Sequence, residues 1–189
     1  MYGELTTDTS ATGAAPNSLS SLSFICKSMT PRSDAPKTRP YVYESDFDTN
    51  GLIYALGSDD GAKGWNNPVQ SGSVTLKLSH NLNASNMIDH NVVARSCNES
   101  TYWGGTAPQH FILNFGDDVK IRPDYYTLRH GYDCSNSYVC DWEFLGSENG
   151  EDWVVLHSQY NPVFTKGFDV KSFPITEATG YYSQFKLTQ

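Results

Sequence analysis

An antiparallel β-sandwich or barrel is the fold class that this sequence predicts, and three observations predict it. Short segments with period-two alternation recur between turn-rich stretches, as half-buried strands require. No segment sustains a 3.6-residue period with capping residues at its ends, so no helices separate the strands. Aromatic residues make up 13% of the chain against only three Met, which suits packed sheets better than a helical bundle.

Met1 to about Pro40 reads as a flexible or extended N-terminal tail. It is rich in Ser, Thr, Ala, Pro and Gly, and its one compact apolar run is Leu22-Ser23-Phe24-Ile25. Such a stretch buries too little apolar surface to offset its chain entropy. The folded domain is expected over residues 41–189. Tyr41-Val42-Tyr43-Glu44 enters as a strand, and residues 45–51 form a turn-rich loop. Leu52 to Gly57 is too short to assign between strand and helical turn. Trp65-Asn66-Asn67-Pro68 is a turn with an aromatic anchor. In residues 73–79, Val74, Leu76 and Leu78 point one way while Thr75 and Lys77 point the other. Residues 80–106 are mostly loop, with Val92-Val93-Ala94 as a candidate short strand, and a loop of that length in a compact domain is usually functional or poorly ordered. Phe111, Leu113 and Phe115 then mark a core-facing strand. Tyr125 to Arg129 is the next strand, and Trp142 to Leu145 and Trp153 to Leu156 follow as a hairpin turned at Asn149-Gly150. Phe168 to Ile175 is one irregular strand ended by Pro174. In the last strand Phe185 and Leu187 point in, and Gln184, Lys186 and Thr188 point out.

A net charge of −8 and a pI near 4.9 argue against nucleic acid, whose phosphates need a basic footprint. No run of about 18 apolar residues is present to span a membrane, and no basic region followed by an apolar core opens the chain as a secretory signal. A cytoplasmic location is the expectation, with an extracellular one as the alternative. Four cysteines without a CxxC pair build neither a disulfide framework nor a zinc site. Cys134 and Cys140 flank residues 135–139 and either bridge or stand as free thiols.

Asp46, Asp48 and Asn50 have the alternating oxygen-ligand spacing of a Ca²⁺ loop, but the EF-hand pattern fails because Gly51 directly follows Asn50. The reading is either a structural Ca²⁺ site, the sole cofactor expected, or an Asx-capped turn without metal. The five histidines show no ligand spacing, and no nucleophile elbow, phosphate loop or paired-carboxylate signature occurs. A catalytic role is therefore not expected. Trp142 and Trp153 open alternating strands and are assigned to the core. Trp65 and Trp103 lie in loops with Asn and Gly, either as an aromatic platform or as lids on the core. Arg129 and His130 end a strand at the rim, where they either read a partner's polar group or hold the loop, with Arg129 pairing Asp133 or Asp141. Trp65, Asn67, Trp103, Arg129, His130 and Asp133 are the candidate partner-binding residues.

The segments YESDFDTNGLIYALG, WNNP, SGSVTLKLS, FILNFGDDVKIRPDYYTLRHG and DWEFLGSENGEDWVVL, in that order, resemble the discoidin-like (coagulation-factor C-type) domains. The variant carried inside HECT-type ubiquitin ligases and BTB-containing adaptors is the nearest in pattern, through Asp48-Thr49-Asn50-Gly51, Pro123 to His130, and Trp142 with Gly146-Ser147, Gly150 and Trp153. The resemblance covers about Tyr41 to Gln189. It implies a galactose-binding-like jelly roll that acts as a non-catalytic recognition module for a protein partner in a larger, ubiquitin-ligase-associated assembly. A carbohydrate-binding, lectin-like domain is the alternative, favoured by the glycosylation acceptor patterns at Asn83 and Asn98. Two departures stand out. The loop before Trp142 carries Cys134 and Cys140 where the family has Gly, Ser and Asn. The family's closing strand after Phe-Lys-Leu is not in the sequence, so an edge is left open or is filled by the N-terminal segment around Phe24.

Overall fold

The computed structural model describes residues 1–7, 39–46, 48–79, 88, 110–130, 139–176, 178 and 180–189. In chain order these form β1 (Tyr2–Thr7), β2 (Arg39–Tyr41), α1 (Leu52–Ser58), β3 (Thr75–Leu78), β4 (His110–Asn114), β5 (Val119–Arg129), β6 (Trp142–Ser147), β7 (Val154–Gln159), β8 (Val170–Pro174) and β9 (Gln184–Thr188). A four-stranded sheet in the order β2-β1-β5-β8 faces a five-stranded sheet in the order β3-β4-β9-β6-β7. Every pairing is antiparallel, so the fold is the expected antiparallel β-sandwich.

Alternation decides which side chains meet between the sheets. Phe185 is fully buried, stacked on Phe144 at 5.6 Å and edge-on to Phe115 at 6.0 Å. Tyr126 stacks on Phe144 at 4.3 Å and on Phe173 at 5.1 Å, so it joins the two sheets. Such pairs contribute about 0.5–1.5 kcal/mol each beyond their buried area. Just before β9, Tyr182 exchanges both backbone hydrogen bonds with Ile121 of β5, at 2.8 Å each, and this stitches one sheet to the other.

Several elements depart from the sequence-based expectation. The ordered structure does not begin at Tyr41: Tyr2–Thr7 lies inside the four-stranded sheet, between β2 and β5. β5 is thus paired with β1 on one side and with β8 on the other; the segment around Phe24, expected to fill an open edge, lies outside the described residues. β5 runs to eleven residues, straight through Pro123. Proline normally stops an interior strand because it lacks an N–H. Here the register slips between Tyr2 and Gly3, the partners of Tyr125 and Pro123, and β8 pairs β5 only from Tyr125 onward. The ambiguous Leu52 segment is α1, and Leu52 and Ala55 are buried in the core.

The β6–β7 connection is not a two-residue hairpin but a loop over residues 148–153. Gly150 alone takes a positive φ there, +78°. Asn149 acts through its side chain, whose Oδ1 accepts the N–H of Glu151 and of Asp152 at 2.9 Å, while Ser147 Oγ accepts that of Gly150. Trp153 is not a core residue. It is half-buried, its indole N–H bonds Gly150 O at 3.1 Å, and Lys186 Nζ rests 4.3 Å over its ring.

A wall of loop and helix beside the sheet: the candidate functional site

The loop after β2 is organised by one carboxylate. Asp48 Oδ2 accepts the N–H groups of Glu44 and Ser45 at 2.9 and 3.0 Å, and Oδ1 accepts that of Asn50 at 2.8 Å. An Asx turn of this kind satisfies donors that a compact loop would otherwise leave bare. Asp46 is turned elsewhere, with its Oδ1 accepting the Tyr43 hydroxyl at 3.1 Å, and the Tyr43 ring stacks on Tyr125 at 4.5 Å. Asp48 therefore uses both carboxylate oxygens on backbone donors, and Asp46 uses one on Tyr43. Among the described residues no group of three or more His, Cys, Asp and Glu is placed to hold a metal ion. The geometry favours the Asx-turn reading of this motif.

Truncating Asp48 should therefore act on shape before chemistry. Asp48→Ala is expected to destabilise the chain by about 1–3 kcal/mol, since it removes an acceptor shared by three backbone donors. Asp48→Asn should recover part of that loss, because its one carbonyl oxygen still caps a donor. Urea unfolding of the two variants beside the parent checks the order.

α1 supplies the opposite wall. Ser58 Oγ donates to Tyr54 O at 2.8 Å and accepts the Gly61 N–H at 2.9 Å, which locks the helix end to the following turn. Asp59, Asp60 and Gly61 all take positive φ there. Trp65 folds back over the helix and stacks on Tyr54 at 5.9 Å. A Cβ on Gly57 would lie 2.2 Å from the Trp65 ring, so the helix carries glycine where the indole presses on it. Trp65 is thus a lid on α1. Asn67 is buried, donating from Nδ2 to Ile88 O at 2.6 Å and accepting the Val69 N–H at 2.9 Å. Trp65 braces the α1 wall, and Asn67 ties the turn that follows it to Ile88.

Between β2, the Asp48 loop and α1 lies an open cleft of about 480 Å³, lined by Tyr41, Glu44, Thr49, Asn50, Tyr54 and Asp60 among others. The Tyr41 hydroxyl donates to Asp60 Oδ1 at 3.4 Å across it, and Val42, 59% exposed, stands at its edge. Two phenol rings, two carboxylates, a hydroxyl and an amide can grip a partner by apolar contact and hydrogen bonding together. Of the sequence-based candidates among the described residues, only Asn50 lies in this cleft. Tyr41 and Tyr54 were legible as strand and apolar residues, and nothing local showed that they face each other.

Arg129 ends β5 at the other candidate region, and His130 follows it directly. The His130 N–H bonds Asp169 O at 2.9 Å, and its ring lies 5.6 Å from Phe164. The neighbouring Thr165–Asp169 turn holds Phe168 at a φ of +59°, unusual for a bulky side chain. The Thr165 N–H, bonded to Asp169 Oδ2, holds that carboxyl below its ordinary range. Cys140 is half-buried. Trp103, Asp133 and Cys134 lie outside the described residues, as does the Val92 segment.

The fold and this cleft define a sandwich scaffold that carries polar loops at its margin. No protein-family model matches the chain. It is similar to a BTB/POZ domain-containing protein of Arabidopsis thaliana, at 26% identity over 72% of this chain and 17% of the relative. It is also similar to the E3 ubiquitin-protein ligases Ufd4 of Drosophila melanogaster (28% identity, 61% of this chain, 4% of the ligase) and hecd-1 of Caenorhabditis elegans (27%, 60% and 4%). The chain thus spans a small part of the length of each curated relative. Among solved structures, CpGH89CBM32-5 from Clostridium perfringens with GalNAc-β-1,3-galactose is similar at a TM-score of 0.46 and 14% identity, over 64% of this chain and 86% of that one. The family 32 carbohydrate-binding module of C. perfringens NanJ with galactose is similar at a TM-score of 0.45 and 14% identity, over 64% and 84%.

Proposed function

We propose that this chain is a non-catalytic recognition module that engages a protein partner within a larger, ubiquitin-ligase-associated assembly. The cleft between Tyr41, Asn50 and Tyr54 carries the reading, because it combines apolar edge, ring faces and polar groups on a braced wall. Similarity to short portions of a BTB/POZ protein and of two ubiquitin ligases supports it, as a module embedded in long chains would show. A second reading, carbohydrate binding, draws on the same cleft, since hydroxyl, amide and carboxylate groups beside tyrosine rings also suit a sugar.

Thr49→Arg tests both. Thr49 is exposed at the cleft, so the longer side chain fills the cleft at little cost to the fold. A protein partner isolated on the parent should bind Thr49→Arg at least about tenfold more weakly in calorimetry, the equivalent of ~1.4 kcal/mol, while a glycan array stays blank for both. Glycan binding by the parent that Thr49→Arg abolishes would instead select the carbohydrate reading. Unchanged binding of every partner by Thr49→Arg would remove the cleft from consideration and return attention to Arg129 and His130.

A further inference from the structure

A chain of three side chains crosses the sandwich away from the cleft and has no part in the recognition reading. The Trp142 indole N–H donates to Tyr126 Oη at 2.8 Å, and Tyr126 Oη lies 2.7 Å from His157 Nδ1. An indole can only donate, so the Tyr126 oxygen accepts from Trp142, and the one acceptor described for its own hydrogen is His157 Nδ1. Satisfying that buried hydrogen selects the tautomer with a bare Nδ1, a neutral imidazole whose proton is on Nε2. Trp142 and Tyr126 are buried, whereas His157 is only partly so, and water can reach it.

We infer that the Trp142–Tyr126–His157 chain is a proton-operated latch, closed while His157 is neutral and released when His157 takes up a proton. A protonated Nδ1 is a donor facing a hydroxyl that already accepts the indole N–H. The Tyr126 hydrogen then loses its acceptor inside the sandwich, whether the imidazolium stays or swings out to solvent. A buried donor without a partner is costly enough to loosen the contact. The latch joins β5, β6 and β7 near the end of the sandwich where β5 ends at Arg129 and β6 begins at Trp142, so its release acts on that rim.

The surroundings favour the neutral form. Phe144 is the cross-strand partner of His157, and the Tyr126 and Phe173 rings lie 5.6 and 5.5 Å away. On β8, Lys171 shares the face of Phe173 by alternation, with its Nζ 3.8 Å from Asp169. Glu143 lies opposite Ser158 on the other face of β6. Among the described residues, then, no carboxylate faces the ring from these strands. Burial accordingly pushes the His157 pKa down. A lowered folded-state pKa means that the unfolded chain binds the proton more readily. The latch's contribution is fully present above the unfolded-state value, about 6.5, and is lost as pH falls through the folded-state value.

Nitrogen-15 NMR of the imidazoles and amide hydrogen exchange test the latch together. His157 should show the Nε2–H tautomer and titrate below about 6.5. Intrinsically corrected protection of the amides of residues 142–144 and 157–159 should fall between about pH 7.5 and pH 5.5 in the parent and in His110→Gln, and stay level in His157→Gln. An Nδ1–H tautomer, a titration at or above the ordinary value, or the same loss of protection in His157→Gln would overturn the latch. Should His157→Gln fail to fold, the tautomer and titration of the parent decide alone. Neither readout involves the cleft, so the result stands apart from the Thr49→Arg experiment.

Discussion

Phe185→Ala should destabilise the sandwich by about 3–5 kcal/mol, near the top of the range for a core aromatic truncated to alanine. Phe185 is 0% exposed. β9 lies between β4 and β6, and this ring is the cross-strand partner of Leu113 on one side and Gly146 on the other. Phe144 stacks on it at 5.6 Å, and Phe115 and Tyr182 meet it edge-on at 6.0 and 6.1 Å. Phe144 is fixed in β6, Phe115 bonds Ser183 O through its N–H just past β4, and Tyr182 is pinned to Ile121, so the space left by the ring cannot close without moving backbone. For a chain of this size the loss corresponds to a fall in Tm on the order of 10 °C. Phe185→Leu should cost clearly less, because it keeps most of the apolar volume and forfeits mainly the ring-to-ring contacts. Urea unfolding with an unchanged slope identifies the effect as one on the folded core. Equal losses for Ala and Leu would show that ring geometry, rather than volume, dominates the site.

Gly146→Ala is expected to destabilise the sandwich by about 1–3 kcal/mol or more. An added Cβ would fall 2.6 Å from Tyr182 Cγ and under 3 Å from two further atoms of that ring. Flexible side chains give way cheaply under such contact, but Tyr182 is anchored. It is buried, and its backbone exchanges two 2.8 Å hydrogen bonds with Ile121 across the sheets. The strain thus falls on the stitch between the two layers. Combining Gly146→Ala with Tyr182→Leu, which narrows the opposing side chain, should give a loss smaller than the sum of the singles, with a coupling of about 0.5–3 kcal/mol. Strict additivity would mean that the methyl is accommodated without touching Tyr182.

How far the site could be read from the chain depends on the range of the interaction that builds each part. The Asp48 turn was legible because its partners, Glu44, Ser45 and Asn50, are all within four residues. What remained open was whether the carboxylate served a cation or the backbone, and that depends on where its oxygens point. Trp65 was legible as a large aromatic among polar residues. Its role depends on Gly57, eight positions earlier, and on the helical turn that brings Tyr54 beneath the indole. Trp153 shows the opposite failure. It begins an alternating segment as a core residue would, yet the six-residue loop before β7 places it on the outside under Lys186.

Alternation alone determined the strands around Val74, Phe111, Trp142, Val154 and Phe185, because in a two-layer fold each side chain must face either apolar core or water, and neighbours along a strand alternate between them. The absence of sustained helical periodicity determined the class. Only the tertiary structure decided that Tyr2–Thr7 belongs to a sheet, that β5 continues through Pro123, that Tyr41 and Tyr54 line one cleft, and that Trp142, Tyr126 and His157 form one hydrogen-bonded chain. Each of these rests on a partner brought close by the packing of strands distant in sequence. Backbone pairing and side-chain hydrogen bonds carry no record of their partners in the residues that make them.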